Sequence, residues 1–453
     1  MKRLIFTLSL AVAFSVNSKN VDKKKSRFEE LELFNKILHL IDKQYYRKVD
    51  TNKLIEGALK GMMDTLDPHS AFLNKEFFKK MQNDTEGEFG GLGIEVTQKD
   101  GVVYVVTPID DTPAFKAGIK SKDKIVEINN ESILGLTLDE STDRMKGESG
   151  TKIHLGIVRE GEKGIKHFTI KREKIQIQPV KSELIENNYA WIRLTQFQRR
   201  SRKGIESALK SLKKKTKNTG GVKGLILDLR SNPGGLLDQA VEVSSLFLKD
   251  GIVVSTESRD PNNKEIHYVK KQGYKDLKVP IIVLVNGSSA SASEIVAGAL
   301  QDHKRALIMG SQTFGKGSVQ TVARIDADNG VKLTIAQYMT PKNRKIQAIG
   351  ITPDIKMDTV EASWFAENKK EASFIREKDL RNHLTATIET KEEKAKRVQE
   401  NKIARQKRIK EMNSKEKGEK NDIFKKYNPK EDYQILQAVN YLKSFSIYSN
   451  IKK

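Results

Sequence analysis

Between residues 174 and 357, short runs of aliphatic and β-branched residues alternate with stretches of helical periodicity, and this pattern restricts the fold more than any other feature. Ala190 to Phe197, Gly224 to Leu229, Ile281 to Val285 and Ala306 to Met309 read as strands. Ile205 to Leu212, Leu236 to Phe247 and Ser293 to Leu300 fall between them and read as helices. Strand and helix in strict turn predict an α/β core over 174–357.

The flanks follow other rules. Residues 27–86 predict a helical region: Leu31, Phe34, Leu38, Ile41 and Tyr45, then Leu54, Ala58, Met62 and Leu66, recur at helical spacing until Asp67-Pro68 stops the pattern. Residues 87–173 predict a small β-rich module, with Gly90-Gly91-Leu92-Gly93 entering a strand at Ile94 to Val96, then Val102 to Val106, Lys124 to Ile128 and Ile153 to Val158. Residues 358–453 are rich in Lys and Glu and predict a charged, helical or partly disordered extension. Its last part regains an apolar period (Ile435, Ala438, Tyr441, Leu442, Phe445), as expected of a segment that folds back on the domain.

Met1-Lys2-Arg3, the uncharged run Leu4 to Val16 and the small residues near Ser18 have the three parts of a secretory signal over residues 1–18. The apolar stretch is short for a membrane span, although an uncleaved anchor is the alternative. The expected location is extracytoplasmic, such as a periplasm. The 453 residues are enough for about three domains. Lys and Arg number 82 against 59 Asp and Glu, and the net charge of +23 favours anionic partners, either membrane surfaces or nucleic acid. No base-reading motif accompanies that charge, so no nucleic-acid partner is expected. The chain has no cysteine, which removes disulfides, thiolate metal sites and cysteine nucleophiles.

Chemistry concentrates in Gly287-Ser288-Ser289-Ala290-Ser291-Ala292-Ser293-Glu294 and Thr313-Phe314-Gly315-Lys316-Gly317-Ser318-Val319-Gln320. In the first, Ser291 with Glu294 three residues on is a capping-box pattern, so a plain helix start explains it. A hydroxyl at a strand-to-helix turn, beside backbone N–H groups, also suits a nucleophile, and both readings can hold together. The seven histidines (39, 69, 154, 167, 267, 303, 383) show no motif that nominates a base, and a Ser-His-Asp arrangement stays open. Lys316 offers another base, since its two glycine neighbours permit close packing that would desolvate the amine. Acting at neutral pH requires lowering its pKa by around three units from about 10.4, a differential cost of roughly 4 kcal/mol. Gln320, four residues on, could orient it or be an ordinary surface residue. Gly310 to Lys316 has the spacing of a phosphate loop, but Gly317 stands where a magnesium-binding hydroxyl belongs, and a strand follows where that motif needs a helix.

The ordered set Gly90-Gly91-Leu92-Gly93-Ile94, Asp228-Leu229-Arg230-Ser231-Asn232-Pro233-Gly234-Gly235, Ser289 to Glu294 and Phe314 to Gln320 resembles the C-terminal processing peptidases, or tail-specific proteases. The likeness runs from about residue 30 to 357 and takes in Leu66-Asp67-Pro68-His69-Ser70 and Gly350-Ile351-Thr352-Pro353-Asp354. It implies a multidomain α/β and β-rich serine endopeptidase: a crotonase-like (ClpP/crotonase) core with an inserted PDZ domain, a helical N-terminal region, and no metal or cofactor. By motif position the resemblance makes Ser291 the nucleophile, Lys316 the general base and Gln320 its orienting partner, with the amides of Gly235 and Ala292 as oxyanion donors. Leu92, Gly93 and Ile94 would bind the terminal carboxylate of a substrate's apolar tail. Ser121-Lys122-Asp123 departs from the family's usual Pro-Gly-Asp turn. An adaptor, self-association and contact with a membrane surface are compatible with this reading. The alternative is an inactive PDZ scaffold that binds protein C-termini.

Overall fold

The computed structural model of the chain describes residues 26–78, 81, 87–99, 101–109, 111–162, 164–176, 178–260, 262–358, 376–379 and 427–451. The expected signal segment, part of the stretch expected to be helical up to 86, and most of the charged extension lie outside them. Contacts divide the chain into residues 1–62 and 63–453. The first unit carries the helix Arg27–Gln44, opened by a capping box from Ser26 and Glu29, and most of the helix Thr51–Asp64.

The larger unit is built on a six-stranded sheet ordered Val180–Ile185, Tyr189–Leu194, Gly224–Asp228, Ile281–Val285, Ala306–Gly310 and Ile355–Lys356. The first pair is antiparallel and the rest parallel. Side chains alternate across a strand, and here both faces are covered, which is why these strands read as unbroken apolar runs. Leu225, Leu227, Ile281, Val283 and Val285 join the main core with the helices Ser201–Thr216, Leu237–Ser245 and Ala292–Asp302. Ile226, Ile282 and Leu284 face the other way, onto Ile435, Ala438, Val439 and Leu442 of the C-terminal helix Tyr433–Ile451. Tyr441 and Phe445, expected to share that buried stripe, are exposed. The helix therefore contacts the sheet along a narrower face than its apolar content suggests.

A second sheet runs Ala71–Leu73, Gly330–Met339, Ile252–Ser258 and Ile266–Tyr268, with Ser318–Arg324 also paired to Gly330–Met339. Ala71–Leu73 corrects part of the sequence reading. The stretch expected to stay helical to 86 supplies a strand to the core, because the Asp67-Pro68 turn reverses the chain and its next residues find an unpaired strand edge.

Residues 94–171 form a sheet ordered Ile94–Lys99, Val102–Pro108, Lys124–Ile128, Lys152–Val158 and Lys166–Lys171, with its own core of Val103, Val105, Ile125, Ile153, Leu155 and Ile157. The two-stranded ribbon Glu88–Gly91 with Glu173–Gln176 ties its entry to its exit, as an inserted module requires. Among the described residues, no helix is long and apolar enough to cross a membrane.

Candidate active site

Ser291 stands where the strand Ile281–Val285 turns into the helix Ala292–Asp302, with φ 54° and ψ −113°. Such a conformation costs a non-glycine residue on the order of 1–3 kcal/mol, so its surroundings must impose it. They do so through buried hydrogen bonds. The Ser289 hydroxyl donates to the Leu229 carbonyl at 2.8 Å, and the Ser293 hydroxyl and Ala290 N–H donate to the Asn232 carbonyl at 2.9 and 3.0 Å. Asn232 in turn donates to the Leu194 carbonyl at 2.8 Å and accepts from the Gly234 N–H at 2.9 Å.

This wiring presses the loop Ser231 to Gly235 against the serine. A Cβ added at Gly234 would lie 2.8 Å from the Ser291 Cβ and 3.0 Å from the Ala292 nitrogen; one at Gly235 would lie 2.1 Å from the Phe197 carbonyl oxygen. Both glycines have positive φ, 104° and 137°. Among the described residues, neither the Gly235 nor the Ala292 N–H donates to a protein acceptor. The Arg230 guanidinium anchors the same loop: it grips Asp228 through two bonds of 2.9 and 2.7 Å and reaches Asp432 at 3.0 Å and Gln434 at 2.8 Å on the C-terminal segment. Burial opposes its charge, but these partners outweigh burial and raise its pKa.

Lys316 lies in the loop between Ala306–Gly310 and Ser318–Arg324, packed on residues 346–350. The Gly315 carbonyl accepts from the Ala348 N–H at 2.8 Å, and the Gly317 N–H donates to Gln347 Oε1 at 2.9 Å. A Cβ at Gly317 would come within 2.3 Å of the Gln347 nitrogen, so only glycine allows this approach. Burial pushes the Lys316 pKa below the ordinary lysine value and nearby Lys332 pushes it the same way, while Glu377, Glu294 and Asp67 pull it back.

Glu294, read from sequence only as half of a helix cap, spans both segments. Its Oε2 accepts the Ser291 N–H at 2.8 Å and the Lys316 N–H at 2.9 Å; its Oε1 accepts the Gly315 N–H at 2.7 Å and the Thr313 hydroxyl at 2.5 Å. The side chain is fully buried. Burial pushes its carboxyl up to about 7, against four donors that favour the ionised form. The SxxE spacing signals the first contact alone, since the other three come from a loop about twenty residues downstream.

Gln320 is on the strand Ser318–Arg324. Its amide donates to the Thr334 hydroxyl at 3.4 Å, and Thr334 donates to Asp67 Oδ1 at 3.1 Å. Among the described residues it makes no hydrogen bond to Lys316. Asp67 also accepts from the His69 and Ser70 N–H groups and the Ser70 hydroxyl. The turn that ends the lead-in thus closes onto the strands flanking the lysine.

In the inserted module, Ile94–Lys99 is an edge strand, paired among the described residues only with Val102–Pro108. Leu92 and Gly93 precede it, and among the described residues their N–H groups donate to no protein acceptor. Gly93 has φ 76°, and a Cβ there would strike Thr112 at 2.3 Å. The Leu92 and Gly93 carbonyls accept from the Ala114 and Ile109 N–H groups at 2.9 and 2.8 Å, which fixes the loop with its amides left over. The unusual Ser121-Lys122-Asp123 turn holds its shape by other means. Lys122 has φ 71°, and buried Asp123 takes a forked pair of bonds from Arg159 at 2.7 and 2.8 Å.

A serine at a strained strand-to-helix turn, a partly buried lysine tied to it through one carboxylate, and a module with a free strand edge define a serine-type peptidase that carries a PDZ domain. Residues 188–357 match Peptidase family S41, residues 90–170 match the PDZ domain, and residues 9–77 match the Activating protease CtpB N-terminal domain. The chain belongs to the carboxy-terminal processing proteases. It is 40% identical over 436 residues to the carboxy-terminal-processing protease of Bartonella bacilliformis, spanning 96% of this chain and 93% of that one. It is 38% identical over 344 residues to the carboxy-terminal processing protease CtpA of Bacillus subtilis, spanning 76% and 72%. Among solved structures, a photosystem II D1 C-terminal processing protease is similar at 30% identity and a TM-score of 0.44, over 73% of this chain and 93% of that one.

Proposed function

We propose that this chain is a serine endopeptidase with a Ser–Lys dyad on a crotonase-like core, which takes exported proteins by their apolar C-terminal tails. The observation that carries this reading is the single buried carboxylate of Glu294, which binds the backbones of Ser291 and Lys316 together. Neutral Lys316 removes the hydroxyl proton as Ser291 attacks the peptide carbonyl. The N–H groups of Gly235 and Ala292, the second at a helix N-terminus, receive the oxyanion. The lysinium then protonates the leaving amine, and a water deprotonated by the same lysine hydrolyses the ester. Gln320 orients the amine when substrate is bound. Residues 1–18, acting as an export signal, place the reaction outside the cytoplasm.

A substrate tail adds to the free edge of Ile94–Lys99 with its carboxylate on the amides of Leu92, Gly93 and Ile94. One unfolded protein presented with an apolar C-terminus, with two terminal aspartates, or with an amidated end tests this. The charged and amidated forms should show KM raised on the order of tenfold, about 1.4 kcal/mol of lost binding, with kcat little changed. Equal KM for all three would remove tail capture from the account. Binding of the apolar tail with no cleavage would favour the inactive scaffold.

A further inference from the structure

Two residues far apart in sequence meet beside the lysine loop, and the mechanism above uses neither. Glu377 belongs to a short 3-10 turn, Glu377–Asp379, beyond the peptidase core, and its side chain is fully buried. His69 Nε2 lies 2.8 Å from both Glu377 oxygens, and the Gln347 amide donates to Glu377 Oε1 at 3.0 Å. Through these partners Glu377 holds both ends of the lysine loop. Its own N–H donates to the Phe314 carbonyl at 3.1 Å, and Gln347, which it fixes, accepts the Gly317 N–H at 2.9 Å. Residues 314–317 are therefore held at Phe314 by the Glu377 backbone and at Gly317 by Gln347, while His69 fixes the Glu377 carboxylate.

We infer that Glu377, fixed by His69 and Gln347, is the positioning residue for the catalytic base: a clamp that sets the loop 314–317 around Lys316. The inference rests on the reading of Lys316 as the base. The charged groups acting on that amine come from each element around it: Lys332 on the strand Gly330–Met339, Glu294 on the helix after Ser291, Asp67 in the lead-in turn, and Glu377. Glu377 favours the lysinium and Lys332 opposes it. Loss of the clamp would remove the bond to Phe314 and loosen Gln347 at Gly317, leaving the loop to Glu294 and Ala348.

The test follows Lys316 directly. In a Ser291→Ala background, the amine is labelled with acetic anhydride across pH and the modified peptide is quantified. Glu377→Gln, which keeps the size and an acceptor oxygen, should move the labelling midpoint of Lys316 to lower pH, and Lys332→Gln should move it to higher pH. With Ser291 restored, Glu377→Ala should lower kcat on the order of tenfold or more through the loosened loop, with KM within a factor of about two. Unmoved midpoints in both Gln variants, with melting temperature and tail binding preserved, overturn the clamp while leaving the peptidase reading intact. The converse result is separable: if wild type fails to cleave, or Lys316→Ala cleaves as fast as wild type, the reading of the lysine as base falls and the clamp falls with it. If a Glu377 variant fails to fold, Gln347→Ala, which cuts the link from Glu377 to Gly317 and leaves Glu377 in place, should lower kcat in the same way, and an unchanged kcat there overturns the clamp.

Discussion

Lys316→Ala should abolish turnover, with a fall in kcat of about 10⁴-fold or more, while the apolar tail binds as tightly as before. Glu294 is no substitute for the amine, since both of its oxygens already accept from donors in place. Ser291→Ala should cost as much, and the double variant no more than either single one, because the two groups act as a unit. Lys316→Arg should be as inactive as Lys316→Ala, since a guanidinium stays protonated. Folding should survive Lys316→Ala, because the lysine's burial is a cost that its removal relieves. Initial rates on an unfolded, apolar-tailed protein, with tail titration and thermal melting alongside, separate lost chemistry from lost structure.

Glu294 carries the second large effect, and there structure and chemistry fail together. Glu294→Ala leaves three backbone N–H groups and the Thr313 hydroxyl without their acceptor inside the core, at about 1–3 kcal/mol each. Their sum is a large part of the roughly 5–15 kcal/mol that stabilises a typical fold. Glu294→Gln keeps the volume but turns an amide toward backbone donors, so kcat should fall on the order of 10²-fold with tail binding unchanged. The pH dependence has a definite sign. A carboxyl raised from 4.5 to about 7 stabilises the fold fully below 4.5, and that contribution is lost as pH rises through about 7. Its full size is about 3 kcal/mol. Denaturant titrations of wild type and Glu294→Gln should therefore show a stability difference that shifts against wild type across this window. A difference that stays flat with pH would contradict the burial argument.

The core was legible because its signals are local. The runs at Gly224 and Ile281 have both faces buried, so they stand out as apolar strands, and the glycines at 234, 235, 315 and 317 mark close approaches that a Cβ would block. What sequence could not show are pairings made across long separations. Ala71–Leu73 became a strand because an edge 260 or so residues later was open to it. Gln320 faces Thr334 and the Asp67 turn, a partnership set by strand register rather than by its four-residue distance from Lys316. Glu294 looked like a cap because one of its four contacts is a cap. His69 lies in a stretch that the family likeness takes in, but nothing in the sequence joined it to Glu377, 308 positions away.

Trapping the covalent intermediate identifies the nucleophile and its base in one experiment. Wild type is mixed with an apolar-tailed substrate, quenched in acid within the first turnover, and the bound fragment located by peptide mass analysis. An ester should form on Ser291 in wild type, with no adduct in Lys316→Ala. Rapid turnover with the fragment attached at another residue, or with an undiminished Ser291 ester in Lys316→Ala, would contradict the Ser–Lys dyad.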